Sequence, residues 1–248
     1  MEFLLIFCIC TFSGFLTGLL GVGGGMIIIP LFLCVLPLFG IKFSLQEVIG
    51  ISATCVFINS AVTTFYRRKE KFLPFSSIAP IVFSVILGTV SGAYLSDFAP
   101  KLVILSIYIL VSLFSIYMLN GEVYFNLKNK FFVYILFAFI GAISASIGIG
   151  GAVLFATVLK CFWGKNTKEL LPTITILVLC HAFFAFVSKF ALGHVTLMII
   201  PIAIVSSLIG SKIGVFVSKK LTSQTLNVLM SGILVLGLIK ILHEMFIL

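Results

Sequence analysis

The sequence predicts an all-α, polytopic membrane protein of two inverted repeats, each a glycine-broken helical hairpin followed by three transmembrane helices. Three observations support this prediction. The composition is too apolar for a water-soluble particle, a glycine-rich segment of the first half recurs in the second, and the basic residues are unevenly distributed between the loops.

The composition alone identifies lipid as the solvent. The chain has 248 residues, of which 61% are hydrophobic and 9% are charged, whereas soluble proteins carry about 25% charged residues. We therefore expect a multi-pass protein of the cell (inner) membrane, with the lipid bilayer as a partner and no enzyme activity or cofactor. The formal net charge of +9 is typical of basic cytoplasmic loops and does not require nucleic acid as a partner.

An internal repeat divides the chain. FSGFLTGLLGVGGGMIIIP, residues 12–30, aligns with FIGAISASIGIGGAVLFAT, residues 139–157, at an offset of 127. Further along the chain the offset is 122. The aligned pairs include Gly21 with Gly148, Gly24 with Gly151, Glu47 with Glu169, Asn59 with His181, Gly88 with Gly210 and Gly92 with Gly214.

The apolar runs give the predicted elements in order. The first half has a glycine-broken run at 3–39 and unbroken runs at 47–66, 73–96 and 102–120. The second half has a broken run at 131–163 and unbroken runs at 169–188, 195–217 and 224–247. We therefore predict a first repeat over 1–120, a cytoplasmic linker over 121–130 and a second repeat over 131–248. Ser44 with Glu47, and Asn166 with Glu169, have the spacing of capping boxes at helix starts.

The broken runs determine the predicted topology. Helices over 26–39 and 152–163 would be about 21 Å and about 18 Å long, shorter than the hydrocarbon layer of about 30 Å. Each broken run therefore forms a hairpin with both ends on one side, whether it re-enters or crosses twice. Each half then crosses an odd number of times, so the halves are inverted relative to each other.

The loop charges agree with inversion and place both termini outside the cytoplasm. Inverted halves give the cytoplasmic side 11 basic residues and the other side 4, whereas parallel halves would give 7 and 8. The cytoplasmic set is Arg67, Arg68, Lys69, Lys71, Lys128, Lys130, Lys160, Lys165, Lys168, Lys219 and Lys220, and the opposite set is Lys42, Lys101, Lys189 and Lys240.

Two glycine-rich loops are the first candidates for a binding site. We name GVGGG, residues 21–25, the first knot and GIGG, residues 148–151, the second knot. Exposed backbone N–H groups and the start of the following helix can bind an anion, and such a site needs no charged side chain. Close helix packing is the alternative, and we favour it for Gly88, Gly92, Gly210 and Gly214. The candidate binding residues in the knots are Gly21, Gly23, Gly24, Gly25, Gly148, Gly150 and Gly151.

Neutral polar side chains near the middle of two runs are the second candidates. Asn59 and His181 occupy equivalent positions, and such groups are costly in lipid unless they meet a partner. They either bond neighbouring helices together or bind the solute, and His181 could also couple transport to protons. All seven acidic residues lie at segment ends or in loops, so we expect no metal site and disfavour cation transport.

Several motifs resemble the sulfite exporter TauE/SafE family of membrane permeases. They are GLLGVGGGMIIIP, with Gly21, Gly23, Gly24 and Pro30, then VIGISATCVFINSAV, with Ser52, Ala53 and Thr54, and the basic RRKEKF turn. The resemblance covers nearly the whole chain and implies transport of small sulfur-containing anions. The second half departs from the pattern at Ala152, Thr157 and 172–175.

We therefore interpret the chain as a transporter of a small, sulfur-containing anion that works by alternating access. The solute would lie between the knots, with Ser52, Thr54, Asn59, Thr175 and His181 as neutral binding groups. The alternatives are a permease for other organic anions, a thiol-redox or assembly factor that uses some of the six cysteines, and a structural scaffold. A homo-oligomer is left open as a further partner.

Overall fold

A computed structural model describes residues 2–21, 24–34, 36–41, 43–120 and 130–247, and over these residues the chain is helical without any strand. The predicted linker therefore lies almost entirely outside the described residues. The helices are α1 (Glu2–Leu20), α2 (Gly25–Cys34), a short 3-10 helix (Leu36–Phe39), α3 (Leu45–Arg67), α4 (Phe75–Phe98), α5 (Lys101–Asn120), α6 (Lys130–Ile147), α7 (Ala152–Trp163), α8 (Thr167–Ala191), α9 (Ile199–Lys220) and α10 (Ser223–Ile247).

The two glycine-broken runs each form two helices, as predicted. The first knot separates α1 from α2, and the second knot separates α6 from α7. The second arms have 10 and 12 residues, which is about 15 Å and about 18 Å of helix. Neither arm is long enough to cross the hydrocarbon layer of about 30 Å by itself.

The six unbroken runs are helices α3, α4, α5, α8, α9 and α10. Among the described residues, five helices are long and apolar enough to span a membrane: α1, α3, α4, α8 and α9. The predicted capping box of Ser44 and Glu47 is confirmed, with both reciprocal hydrogen bonds present. The one predicted for Asn166 and Glu169 is wrong, because the Asn166 side chain is exposed and makes no capping bond.

Helix packing is the same when the two halves are exchanged. By the sequence repeat, α1 to α5 correspond to α6 to α10. α1 packs on α9 as α6 packs on α4, α3 packs on α8, and α2 contacts α10 as α7 contacts α5. Each half therefore completes its bundle with helices of the other half. The orientation of the halves relative to the membrane stays a prediction.

Four glycines allow the closest helix contacts, which confirms the packing interpretation for them. A Cβ at Gly88 or Gly92 on α4 would overlap the backbone of α6. A Cβ at Gly210 or Gly214 on α9 would overlap the backbone of α1. Because the contacts are with backbone atoms, any larger residue would force these helices apart.

Candidate functional site

The two knots touch each other in the interior of the protein. A Cβ at Gly25, the first residue of α2, would overlap the carbonyl oxygen of Gly148 and would lie 2.8 Å from Ser52 Oγ. Gly23 of the first knot lies outside the described residues. The contact places the start of α2 directly against the second knot.

Each knot is also packed against a long helix of the opposite half. Gly21 lies against Leu171 and Thr175 of α8, and Gly148 lies against Ile49 of α3. Leu171 and Ile49 are equivalent positions of the repeat, so the arrangement is reciprocal. These contacts join each knot to the N-terminal part of the long helix of the other repeat, so both knots lie at an interface between the two repeats.

The knot backbones have the conformation that glycine favours. A positive φ lets the chain turn sharply, and a side chain there would be strained. The short helices α2 and α7 begin directly after the knots, and the first N–H groups of a helix have no partner within it. These helix starts therefore provide donors and a positive dipole end. The knot glycines with positive φ are Gly21, Gly24, Gly148, Gly150 and Gly151.

Ser52 fastens α3 to the second knot. Its hydroxyl donates to the Gly148 carbonyl oxygen at 2.7 Å, and the side chain is fully buried. Among the predicted solute-binding residues, Ser52, Gly25 and Gly148 are thus in direct contact. In this structure the Ser52 hydroxyl proton is therefore donated to the second knot and is not free for a solute.

A small cavity lies beside the second knot and next to His181. Its volume of 10 Å³ is room for about one water molecule. The cavity wall comes from α3, α6, the second knot and α8, and its polar groups are contributed by Ser144, Gly148, Gly150 and His181. Ser144 Oγ is buried and has no hydrogen-bond partner within the described part of the chain.

A hydrogen bond to Thr89 fixes the orientation of the His181 ring. Its Nδ1 lies 2.6 Å from Thr89 Oγ1, and the Thr89 hydroxyl donates its one proton to the Val85 carbonyl. When the Thr89 proton stays on the Val85 carbonyl, Nδ1 carries the ring proton and donates it to Thr89. In the neutral ring, Nε2 then has a lone pair and accepts rather than donates.

Asn59 lies in a different helix contact from His181. Its Nδ2 donates to Ser13 Oγ of α1 at 3.1 Å, and its Oδ1 lies where a side chain at Gly14 would have to go. Asn59 thus lies beside α1, whereas the His181 partner is on α4. The hydrogen bonds of these two equivalent residues thus run to different helices, and their place at one solute site stays a prediction.

Thr54 and Thr175 use their hydroxyl protons within their own helices. Thr54 Oγ1 donates to the Gly50 carbonyl at 2.8 Å, and Thr175 Oγ1 donates to the Pro172 carbonyl at 2.7 Å. Both side chains are buried. Their role as donors to a solute stays a prediction. It would require each hydroxyl to release its helix carbonyl and donate to the solute instead.

Sequence reasoning missed several polar residues around the knots. Ser144 was aligned within the repeat without a role, and Thr89 was not considered. Arg67 and Lys189, which were assigned to loops, are buried inside the helix bundle. The offset of 122 relates Arg67 to Lys189, so the sequence repeat already showed a basic residue at the same position of both halves.

Comparisons with known proteins extend over nearly the whole chain. The sequence model of the family described as sulfite exporter TauE/SafE matches residues 6–241, from α1 into α10. A protein of Methanocaldococcus jannaschii described as a probable membrane transporter is 25% identical, over 97% of this chain and 97% of its own length. No solved structure matches the chain.

Proposed function

The chain belongs to the sulfite exporter TauE/SafE family, and we propose that it carries a small, sulfur-containing anion across the cell membrane by alternating access. Sulfite, sulfoacetate, other sulfonates and thiosulfate are the candidate solutes. Similarity to a probable membrane transporter and five helices long enough to span a membrane, among the residues described, support the transport function itself.

The contact between the two knots is the observation on which the proposal mainly rests. Gly25 approaches Gly148 so closely that no side chain fits between them. Two glycine-rich loops, each associated with a helix start, therefore meet in the interior of the protein. Backbone N–H groups and helix dipoles bind oxyanions without a fixed positive charge, so the anion can also be released.

The residues around the cavity favour an anion over a cation. The cavity wall consists of glycine, alanine, valine, serine and histidine, and it includes no carboxylate. Cation pathways in membranes normally contain Asp or Glu. Glu47, Glu70, Asp97 and Glu169 lie at helix ends or in loops instead.

The small size of the cavity supports a mechanism in which the helices move. A volume of 10 Å³ does not hold sulfite, which has four heavy atoms. Solute binding therefore requires a second arrangement of the bundles. Rocking of one repeat bundle against the other around a central site is a common way for transporters to provide it.

His181 is the proposed link between anion binding and protons. Because Nδ1–H is engaged by Thr89, only the protonated ring presents a second N–H, at Nε2. An anion that binds Nε2 would thus bind together with a proton. If one proton moves with each anion, every transport cycle carries one negative charge fewer across the membrane than the anion alone would.

Contacts at one end of the bundle support the inverted topology. Lys168 Nζ, just after the start of α8, donates to the Lys219 carbonyl at 3.1 Å. Lys219 Nζ lies 3.7 Å from Glu70, which follows α3. The end of α3 and the start of α8 therefore lie at one face, which in our proposal is the cytoplasmic face.

Ligand-dependent thermal stability tests the proposed solute class. A solute that binds the folded protein raises its unfolding temperature, so the detergent-purified protein is heated with sulfite, thiosulfate, sulfoacetate, taurine or sulfate, with chloride as control. We expect stabilisation by a sulfur-containing oxyanion and uptake of the same anion into proteoliposomes. Stabilisation by taurine alone, which is an amino-sulfonate, would favour the broader organic-anion permease. No binding and no flux would contradict transport of these anions.

One observation bears on the thiol-redox alternative. Cys10 Sγ of α1 and Cys55 Sγ of α3 lie 3.6 Å apart, and both residues are buried. Their burial in apolar surroundings gives an external thiol or disulfide no access to them. The pair is therefore better explained as packing, and its replacement provides a direct test given below.

A further inference from the structure

Two basic side chains are buried at equivalent positions of the repeat. Arg67 ends α3 and is 2% exposed, and Lys189 lies near the end of α8 and is 1% exposed. They are related by the same offset of 122 residues that relates Asn59 to His181. Two cations at equivalent buried positions indicate a shared role, because burial of a cation is costly.

Arg67 joins three parts of one end of the bundle. Its Nη2 donates to the Gly18 carbonyl of α1 at 2.8 Å and to Ser218 Oγ of α9 at 2.7 Å. Its Nη1 donates to Glu70 at 2.9 Å. We name Arg67, Gly18, Ser218 and Glu70 the arginine end cluster.

Lys189 makes the corresponding contacts in the other half. Its Nζ donates to Ser96 Oγ of α4 at 2.9 Å and to Gln46 Oε1 of α3 at 2.9 Å. Asp97 Oδ1 is 3.6 Å from the same Nζ. Ser96 and Ser218 are themselves related by 122 residues, so the serine partner is repeated as well. We name Lys189, Gln46, Ser96 and Asp97 the lysine end cluster.

The two end clusters lie at opposite ends of α3. Gln46 is in its first turn and Arg67 is its last residue, and the helix has 23 residues, or about 35 Å. This is about the thickness of the hydrocarbon layer. The cavity lies between them, since Ala53 and Val56 of α3 are part of its wall.

We propose that the two end clusters are the two closures of the solute path, and that opening one of them exposes the central site to that face of the membrane. This inference rests on the proposed function. In each cluster a cation connects helices of both repeats, so movement of the bundles must break its bonds. An anion resembles the carboxylate that the cation already contacts, so the solute can take the place of Glu70 or Asp97 as it enters.

Two buried positions report the opening of each end separately. Thr63 and Ala185 are related by 122 residues, are both buried, and each lies one helical turn before its cation. Thr63→Cys and Ala185→Cys are each combined with Arg67→Gln or Lys189→Gln. Right-side-out and inside-out vesicles are treated with a membrane-impermeant disulfonated maleimide, and modification at that position is quantified by mass spectrometry, so the native cysteines can stay.

We expect a crossed result. Arg67→Gln raises the modification of Cys at 63, and Lys189→Gln raises that of Cys at 185, each by about tenfold and from opposite faces, because bonds of a charged group are lost. Ser218→Ala and Ser96→Ala provide milder variants if the Gln variants do not insert. No increase in either case, or an equal increase at both positions, would overturn the proposal, the latter indicating general loosening. None of these outcomes depends on which anion is carried.

Discussion

His181 and Thr89 share a hydrogen bond, and the two atoms Nδ1 and Oγ1 lie 2.6 Å apart. His181 is the donor when the Thr89 proton is bonded to the Val85 carbonyl, which lies 2.7 Å from Oγ1. His181 is fully enclosed beside the second knot. The hydrogen bond therefore leaves only Nε2 of the ring for interaction with a solute or a proton.

Replacement of His181 by asparagine should remove the pH dependence of transport. Asparagine is the residue at the equivalent position 59, so the change keeps a neutral polar group while it removes the titrating ring. Because the anion would bind together with a proton, we expect anion uptake that rises as the pH is lowered from about 8 to about 5 in the natural protein and is flat in His181→Asn. Proteoliposome flux measured over this range tests it, and an unchanged pH profile would remove His181 from the coupling.

The hydroxyl oxygen of Thr89 should be required for transport, because it holds the His181 ring in place through a hydrogen bond. Thr89→Ser keeps the acceptor for His181, whereas Thr89→Val leaves a buried N–H without a partner at a cost of about 1–3 kcal/mol. We expect Thr89→Ser to retain flux and Thr89→Val to lose most of it. If both variants transport equally well, orientation of His181 by this bond is not required.

A methyl group at Gly25 should disrupt the contact between the knots. Its Cβ would overlap the Gly148 carbonyl, and such overpacking costs about 1–3 kcal/mol. We expect Gly25→Ala to lose flux and to unfold at a lower temperature. Gly232 of α10 has open space around its missing Cβ, so Gly232→Ala is the matched control and should retain flux. Normal transport by Gly25→Ala would argue against a site at the knots.

The sequence predicted the helices well because lipid imposes a simple rule on them. Every spanning segment needs an apolar run of sufficient length, and the runs at 47–66 and 169–188 became α3 and α8 with small shifts at their ends. The broken runs were also recognised, since glycine interrupts them at Gly21–Gly25 and Gly148–Gly151. Local sequence thus contained most of the information on the elements.

The candidate site was less predictable, because side-chain partners depend on packing between helices far apart in sequence. Asn59 and His181 are predicted at one site, and the sequence does not show that Asn59 bonds to α1 and His181 to α4. Arg67 and Lys189 were assigned to loops from charge alone. Their burial follows from the serines that α9 and α4 contribute, which no periodicity in α3 or α8 indicates.

Removal of the buried cysteine pair should leave transport intact. Cys10 and Cys55 lie 3.6 Å apart in α1 and α3, and small apolar residues of similar size can fill this space. We expect Cys10→Ala combined with Cys55→Ala to retain anion flux, with a small loss of thermal stability. Loss of flux in a protein that still inserts and folds would support the thiol-redox alternative.

The positions of Lys69 and Lys165 relative to the membrane test the inversion of the two halves. Both side chains are exposed, in the loops that follow α3 and precede α8. Inverted halves place both residues in the cytoplasm, in keeping with the excess of basic residues there, whereas parallel halves place them on opposite sides. We expect Lys69→Cys and Lys165→Cys to react with an impermeant maleimide in inside-out vesicles only. Leu197→Cys, in the exposed loop between α8 and α9, should react in right-side-out vesicles and serves as the control for sidedness. Reaction of Lys69→Cys and Lys165→Cys from opposite faces would rule out inversion, and with it the two-faced closure of a central site.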